Sequence, residues 1–129
     1  MRRFFHLLLG IFFTGAGIMH FLNPDFFVAI VPPYLPAPQL LNWLSGAIEI
    51  ILGLGVLFSQ HRRATGIGLI LLLIAVFPAN LHMAFNPHLF AETPPAILWL
   101  RLPVQGLFVF WVYAILLKEP TQRHNGSVA

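Results

Sequence analysis

Polar side chains that could do chemistry interrupt the long apolar stretches of this sequence. Glu49 lies in the middle of LNWLSGAIEIILGLGVLF, and Arg101 and Gln105 lie in AILWLRLPVQGLFVF. His20 and Asn80 lie near the ends of two further apolar stretches. An ionisable group at the centre of a membrane helix costs about 2.5–3.5 kcal/mol on insertion scales, so such groups pair, bind a ligand or move protons. The sequence therefore predicts a ligand or proton site made of these five residues.

The elements that must position this site are four apolar segments, at residues 4–22, 39–58, 64–85 and 96–117. Each has about 20 residues, enough to cross the hydrocarbon core of a bilayer as an α-helix. Because 58% of the 129 residues are hydrophobic and only 9% are charged, the chain is too apolar for a soluble domain of its size. We predict an all-α fold, an antiparallel four-helix bundle in a membrane. Its single domain covers residues 1–118, and a short cytoplasmic tail covers 119–129.

The basic residues predict the orientation of this bundle. They flank the segments on one side only, at Arg2, Arg3, Arg62, Arg63, Lys118 and Arg123. The two other connections, 23–38 and 86–95, contain no lysine or arginine. Because loops rich in these residues stay in the cytoplasm, we expect both termini to be cytoplasmic. A secretory signal is the alternative for the first segment, but no convincing cleavage site follows it.

The composition also limits the chemistry. With no cysteine, disulfides, thiol redox chemistry and cysteine-bound metals are excluded. The formal charge of +3 belongs to the same loop residues that predict the orientation, so we expect no nucleic-acid partner. His20 and His82, each beside a methionine, could provide axial haem ligands or a copper site, but no further ligand residues accompany them. We predict no metal site, and no self-contained catalytic motif is present.

The first outer connection, residues 23–38, contains five prolines among aromatic and branched side chains. Asn23, Pro24 and Asp25 predict a helix start, with a capping residue, a proline in the first turn and an acid near the positive end. We predict a short helix at about 24–30 and then an extended segment that forms a proline-rich cap on the outer end of the bundle. A similar run around Asn86 and Pro87 indicates either an internal repeat or a shared device for starting a helix.

Small residues repeat at helical spacing in the first two segments. The stripes are Gly10, Thr14 and Gly17 in the first segment, and Asn42, Gly46, Glu49 and Gly53 in the second. Such stripes let two helix backbones approach closely. We predict that both faces pack against another helix.

Helix geometry brings the five site residues toward one another. Glu49 lies about 11 residues beyond Pro38, roughly 16 Å deep and close to the midplane. Helical side chains lean toward the N-terminus of their helix, so Glu49 and Arg101 lean outward while His20 and Asn80 lean inward. We expect them to meet in the outer half of the membrane. Arg101 could instead extend to the interface alone, whereas Glu49 must be paired, hydrogen-bonded or held protonated.

Four stretches of the sequence together carry a family resemblance: GIMHFLNPDFFVAIVPPYLPAP, LSGAIEIILGLGVL, AVFPANLHMAF and WLRLPVQ. With them the chain resembles the DoxX-like small membrane proteins over about residues 15–112. The resemblance implies a four-helix protein of the bacterial inner membrane. It also implies a membrane subunit linked to a redox system such as thiosulfate–quinone oxidoreduction. It assigns no catalytic role to Glu49 or Arg101.

Three functions fit these expectations. The first is an accessory subunit of a membrane redox system, or one that interacts with a quinone or a lipid, acting with a partner protein or a second copy of the chain. In it Glu49 relays a proton, Arg101 stabilises an anionic form, and Asn80 or Gln105 hydrogen-bonds a carbonyl. The second is a small-solute or proton-coupled carrier, which the apolar inner halves of the segments disfavour. The third is purely structural, with Glu49 and Arg101 as a buried pair that sets the helix register.

Overall fold

The computed structural model describes residues 1–58 and 60–118 of this protein. Its α-helices are α1 (Arg2–Leu22), α2 (Pro24–Ala29), α3 (Pro38–Phe58), α4 (Arg62–Phe85) and α5 (Pro95–Val112). A 3-10 helix, Pro87–Phe90, precedes α5, and a π-helix, Tyr113–Leu117, follows it directly. The described residues contain no β-strand, so the predicted all-α class is confirmed for them.

Four of the helices, counting α5 together with the π-helix, are long and apolar enough to cross a membrane. They begin at Arg2, Pro38, Arg62 and Pro95, one or two residues before the predicted segments. Proline suits the first turn of a helix because its missing N–H would have no helical partner there, so α3 and α5 include their leading prolines. The predicted tail, 119–129, lies outside the described residues.

Helices α1 and α3 pack along the two stripes of small residues. A methyl group added at Gly17 would lie 2.7 Å from the carbonyl oxygen of Gly46. One added at Gly53 would lie 2.6 Å from the backbone nitrogen of Thr14. These separations are too short for non-bonded atoms, so the two backbones touch where only glycine fits. The prediction that both faces pack against another helix is confirmed.

Two clusters of buried apolar side chains join the remaining helices. The larger consists of Leu9, Phe13, Val56, Leu69, Leu73, Val112 and Leu116, from α1, α3, α4, α5 and the π-helix. The smaller consists of Ile30, Met83 and Leu98, from the segment after α2, from α4 and from α5. The clusters lie toward opposite ends of the long helices. Residues of both clusters, Phe13, Leu73 and Ile30, line the cavity described below.

The connections after α1 and α4 begin with the same backbone turn. Asn23 has φ −132° and ψ 61°, Asn86 has φ −128° and ψ 56°, and each donates its backbone N–H to the carbonyl four residues earlier. Pro24 and Pro87 then start the two short helices. Asn23 occupies the N-cap position of α2, with Pro24 and Asp25 in its first turn, so the predicted helix start is confirmed. Neither asparagine side chain hydrogen-bonds to the helix that follows. The backbone turn itself starts α2, which ends at Ala29, close to the predicted end.

Candidate functional site

His20 and Glu49 form a pair across the contact between α1 and α3. Nε2 of His20 lies 2.9 Å from Oε2 of Glu49, and both side chains are largely buried. Gly46, about one turn before Glu49, allows the last turn of α1 to come this close. A methyl group added at Gly46 would lie 2.6 Å from Cβ of His20. The glycine contact between the two backbones therefore brings these two predicted residues together.

Asn42 is a third member of this cluster, and it is only 1% exposed. Its Oδ1 lies 2.8 Å from Nδ1 of His20, and its Nδ2 donates to the backbone carbonyl of His20 at 3.1 Å. Asn42 was predicted on the packing stripe but not in the site. Its spacing of seven residues from Glu49, two helical turns on one face, is the signal that could have found it.

The amide of Asn42 determines how protons are arranged on His20. Because Nδ2 of Asn42 donates to a carbonyl, its Oδ1 must be the atom that faces the ring, and Oδ1 only accepts hydrogen bonds. Nδ1 of His20 therefore carries a hydrogen. The contact between Nε2 and Glu49 needs one more proton, which resides either on the ring or on the carboxyl group. In both arrangements the pair has zero net charge and holds one transferable proton.

An aromatic ring from α2 covers the imidazole of His20. The ring of Phe27 stacks on it with centroids 3.8 Å apart and planes 21° from parallel. His20 is thus held by Asn42, Glu49 and Phe27 on three sides. Nδ1 of this ring is engaged by Asn42, so it exchanges a proton on the Nε2 side, toward Glu49, and both side chains line one space.

That space is a partly open cavity of about 740 Å³. All five predicted site residues line it: His20, Glu49, Asn80, Arg101 and Gln105. Most of the remaining wall is apolar, and it includes Phe12, Phe13, Phe27, Val76 and Phe108. Pro32 and Leu35, from the proline-rich segment after α2, also line it. The convergence that helix depth and side-chain direction predicted is present in the structure.

Arg101 does not pair with Glu49. No salt bridge or hydrogen bond of Arg101 is found within residues 1–58 and 60–118, and Glu49 is occupied by His20. The guanidinium carbon lies 6.0 Å from the centroid of the Phe26 ring, at the outer limit of a cation–π contact. Since the pair of His20 and Glu49 is neutral, Arg101 leaves the charged residues of the cavity wall with a net charge of +1. The idea of a register-setting pair of Glu49 and Arg101 is therefore wrong.

The two amides of the predicted site bind each other. Nδ2 of Asn80 donates to Oε1 of Gln105, and Nε2 of Gln105 donates to the backbone carbonyl of Leu73. Gln105 is buried, and both the oxygen and the nitrogen of its amide are hydrogen-bonded within the protein. The sequence had instead predicted that this amide binds a ligand. Asn80 retains its own carbonyl oxygen and one N–H. Both side chains line the cavity, and Asn80, the less buried of the two, is the better placed to contact a ligand while its bond to Gln105 positions it.

A protein-family model described as "Domain of unknown function (DUF8561)" matches residues 9–116 of the chain. The chain belongs to this family. The matched range contains every residue of the site described above, from His20 to Gln105, but the family description names no activity. No curated protein and no solved structure matches the chain.

The geometry of this DUF8561 protein does not favour a haem held by two histidines. Both ring nitrogens of His20 are engaged, one by Asn42 and one by Glu49. His82 is hydrogen-bonded to the side chain of Asn86, the residue that follows α4, and does not line the cavity. Among the described residues no group of three or more His, Asp or Glu side chains could hold a metal ion. The site is equipped for proton transfer and for binding an anion or a carbonyl.

Proposed function

We propose that this protein is a four-helix bundle of the bacterial inner membrane, related to the DoxX-like proteins, and that it binds a quinone. Four helices of sufficient length and hydropathy support the membrane position. Phe58, Leu107 and Phe110 are 80%, 66% and 67% exposed, and many other large apolar side chains are exposed as well. Soluble monomers rarely expose so many large apolar side chains, whereas lipid chains would cover them.

The proposed orientation, with both termini in the cytoplasm, predicts a simple labelling result. The chain has no cysteine, so a single cysteine introduced at Tyr34 or at Gln60 is a unique probe, and both positions are exposed. Y34C should react with a membrane-impermeant maleimide in intact cells. Q60C should react only after the membrane is permeabilised, because the basic residues around it belong to the cytoplasmic side. The cysteine-free protein is the control, and the opposite pattern would show an inverted topology.

The cavity supports a quinone head group as the ligand. Its volume of about 740 Å³ is in the range of small-molecule sites, which are largely apolar with a few convergent polar groups. An isoprenoid quinone has an apolar ring and tail and two carbonyl oxygens that become negative on reduction. The observation that carries the proposal is an unpaired Arg101 beside the proton-sharing pair of His20 and Glu49 in one mostly apolar cavity.

Each polar residue then has a distinct role in the site. Reduction of a quinone to a quinol takes up two electrons and two protons, and we assign the electrons to a redox partner protein. Arg101 stabilises the negative charge on the reduced oxygen before it is protonated. The pair of His20 and Glu49 would give its shared proton to that oxygen and would take up the second proton from water at the open side of the cavity. Asn80 hydrogen-bonds the other oxygen.

Two substitutions separate binding from proton transfer. Arg101→Ala should lower quinone retention about 10- to 100-fold, because a hydrogen bond to a charged group contributes about 1.5–3 kcal/mol. Glu49→Gln should retain the quinone, since the pair stays neutral, but proton uptake after chemical reduction should slow at least tenfold. Retention is measured by mass spectrometry of the extracted ligand after purification in mild detergent. Proton uptake is measured by stopped flow with a pH indicator.

Matched controls for these variants lie elsewhere in the chain. Arg63 and Glu92 are exposed and do not line the cavity, so Arg63→Ala and Glu92→Gln remove the same groups without touching the site. Both should behave like the wild type. The proposal fails if no quinone is retained by the wild type, or if Arg101→Ala retains as much quinone as Arg63→Ala does.

A second candidate function is a proton-coupled carrier. The matching backbone angles of Asn23 and Asn86, each followed by a proline and a short helix, favour an internal repeat of the kind found in carriers. Proton flux into liposomes that contain the purified protein distinguishes the two. A carrier gives a solute-dependent flux that Glu49→Gln removes, whereas a quinone-binding subunit gives none.

A further inference from the structure

A second cavity lies at the other end of α1 from the candidate site. It has a volume of about 720 Å³, and its wall is formed by the start of α1, the end of α3 and the first residue of α4. Three arginines line it, Arg2, Arg3 and Arg62, together with His6. None of the described residues in this wall is acidic. We call it the basic cavity.

Two of the three arginines are available to a ligand. Arg2 donates to the backbone carbonyls of Ile115 and Lys118 and so ties α1 to the end of the π-helix. Neither Arg3 nor Arg62 has a hydrogen bond or ion pair within the described residues. Two exposed guanidinium groups facing one concave space, with no carboxylate in its wall, form a site for an anion.

The surroundings of the basic cavity indicate what kind of anion it takes. Nε2 of His6 donates to the carbonyl of Val56, one of the last carbonyls of α3. This hydrogen bond joins α1 to α3 along one side of the basic cavity. Leu7 and Phe58 also line the cavity and are 47% and 80% exposed. An apolar rim next to two cations matches a molecule with a phosphate group and acyl chains.

We infer that the basic cavity binds the phosphate of an anionic phospholipid through Arg3 and Arg62, with the acyl chains along Leu7 and Phe58. This inference rests on the membrane position in the proposed function and is independent of the quinone site. Basic pockets between helices on the cytoplasmic side of a membrane recognise lipid head groups in this manner. The bound lipid would hold the α1–α3 pair at the level of the cytoplasmic leaflet.

The full-length protein in nanodiscs of phosphatidylcholine with a small fraction of phosphatidylglycerol provides the test. Native mass spectrometry should show one phosphatidylglycerol retained per chain in preference to phosphatidylcholine. Arg3→Gln and Arg62→Gln should each weaken retention about fivefold, and the double variant about 25-fold. Arg63→Gln is the matched control, because Arg63 neighbours Arg62 but does not line the cavity, and it should change retention less than twofold.

Three results would overturn the inference. Equal retention of the two lipids would remove the selectivity for an anion. Equal losses in Arg62→Gln and Arg63→Gln would indicate diffuse attraction to the surface rather than a site. Inorganic phosphate that binds as tightly as the lipid and displaces it would show that the cavity takes a soluble anion. Circular dichroism confirms that the variants fold, and quinone retention in the same samples reports separately on the other cavity.

Discussion

Replacing Gly17 with alanine should destabilise the protein and separate His20 from Glu49. The added methyl group would lie 2.7 Å from the carbonyl oxygen of Gly46 and 2.8 Å from the backbone nitrogen of Ile50. Neither backbone atom can rotate away as a flexible side chain would, so α1 and α3 must move apart. Overpacking of this kind costs about 1–3 kcal/mol.

The same displacement acts on the site. The hydrogen bonds from His20 to Asn42 and Glu49 cross the α1–α3 contact at 2.8 and 2.9 Å, so a small separation of the helices breaks both. Gly17→Ala should therefore lower the thermal unfolding midpoint and reduce quinone retention together. Tryptophan fluorescence and near-ultraviolet circular dichroism in one detergent follow the unfolding, and extraction of the ligand follows the retention.

Gly15→Ala is the matched control for this prediction. Gly15 lies two residues earlier in α1, and a methyl group added there meets no atom within 4 Å. Alanine has the higher helix propensity, so this variant should be as stable as the wild type or slightly more stable. If Gly17→Ala and Gly15→Ala unfold at the same temperature, the close contact of α1 and α3 is not what holds the site.

Replacing Asn42 with leucine should have the second largest effect. Leucine has a similar size but leaves Nδ1 of His20 and the backbone carbonyl of His20 without their partner. A buried polar group left unsatisfied costs about 1–3 kcal/mol. The same substitution at Gln39, which is exposed in the first turn of α3, removes an amide without this cost and serves as the control.

Nitrogen-15 NMR of the His20 ring separates a role in proton arrangement from a merely structural one. In the wild type Nδ1 should carry a hydrogen whichever way the shared proton lies, because Oδ1 of Asn42 can only accept. In Asn42→Leu the neutral ring should keep its hydrogen on Nε2, facing Glu49. The signal is assigned by its loss in His20→Gln. A wild-type ring without hydrogen at Nδ1 would contradict the proton arrangement derived above.

The sequence predicted the helices and the position of Glu49 better than it predicted the partner of Glu49. Helix lengths and the position of Glu49 in the middle of α3 follow from the apolar segments alone, because both depend on the rise of a single helix. The small-residue stripes followed from helical periodicity in the same way. Which residue Glu49 pairs with did not follow. The sequence left the partner open and named Arg101 only in the structural alternative, whereas Glu49 pairs with His20 because α1 and α3 are in backbone contact.

Asn42 and Gln105 also have hydrogen-bond partners that the sequence did not predict. Asn42 was placed on the correct face, but its bond to His20 depends on how α1 is rotated against α3. Gln105 was placed in the site, but its bonds to Asn80 and to Leu73 depend on the separation of α4 and α5. The sequence by itself determined the helices, their packing faces and five of the polar residues that line the cavity. Only the tertiary structure decided which of these residues pair. A hydrogen bond between two helices forms only when their rotation and separation are correct to within a fraction of an ångström. The periodicity of one helix does not determine the rotation or the distance of its neighbour.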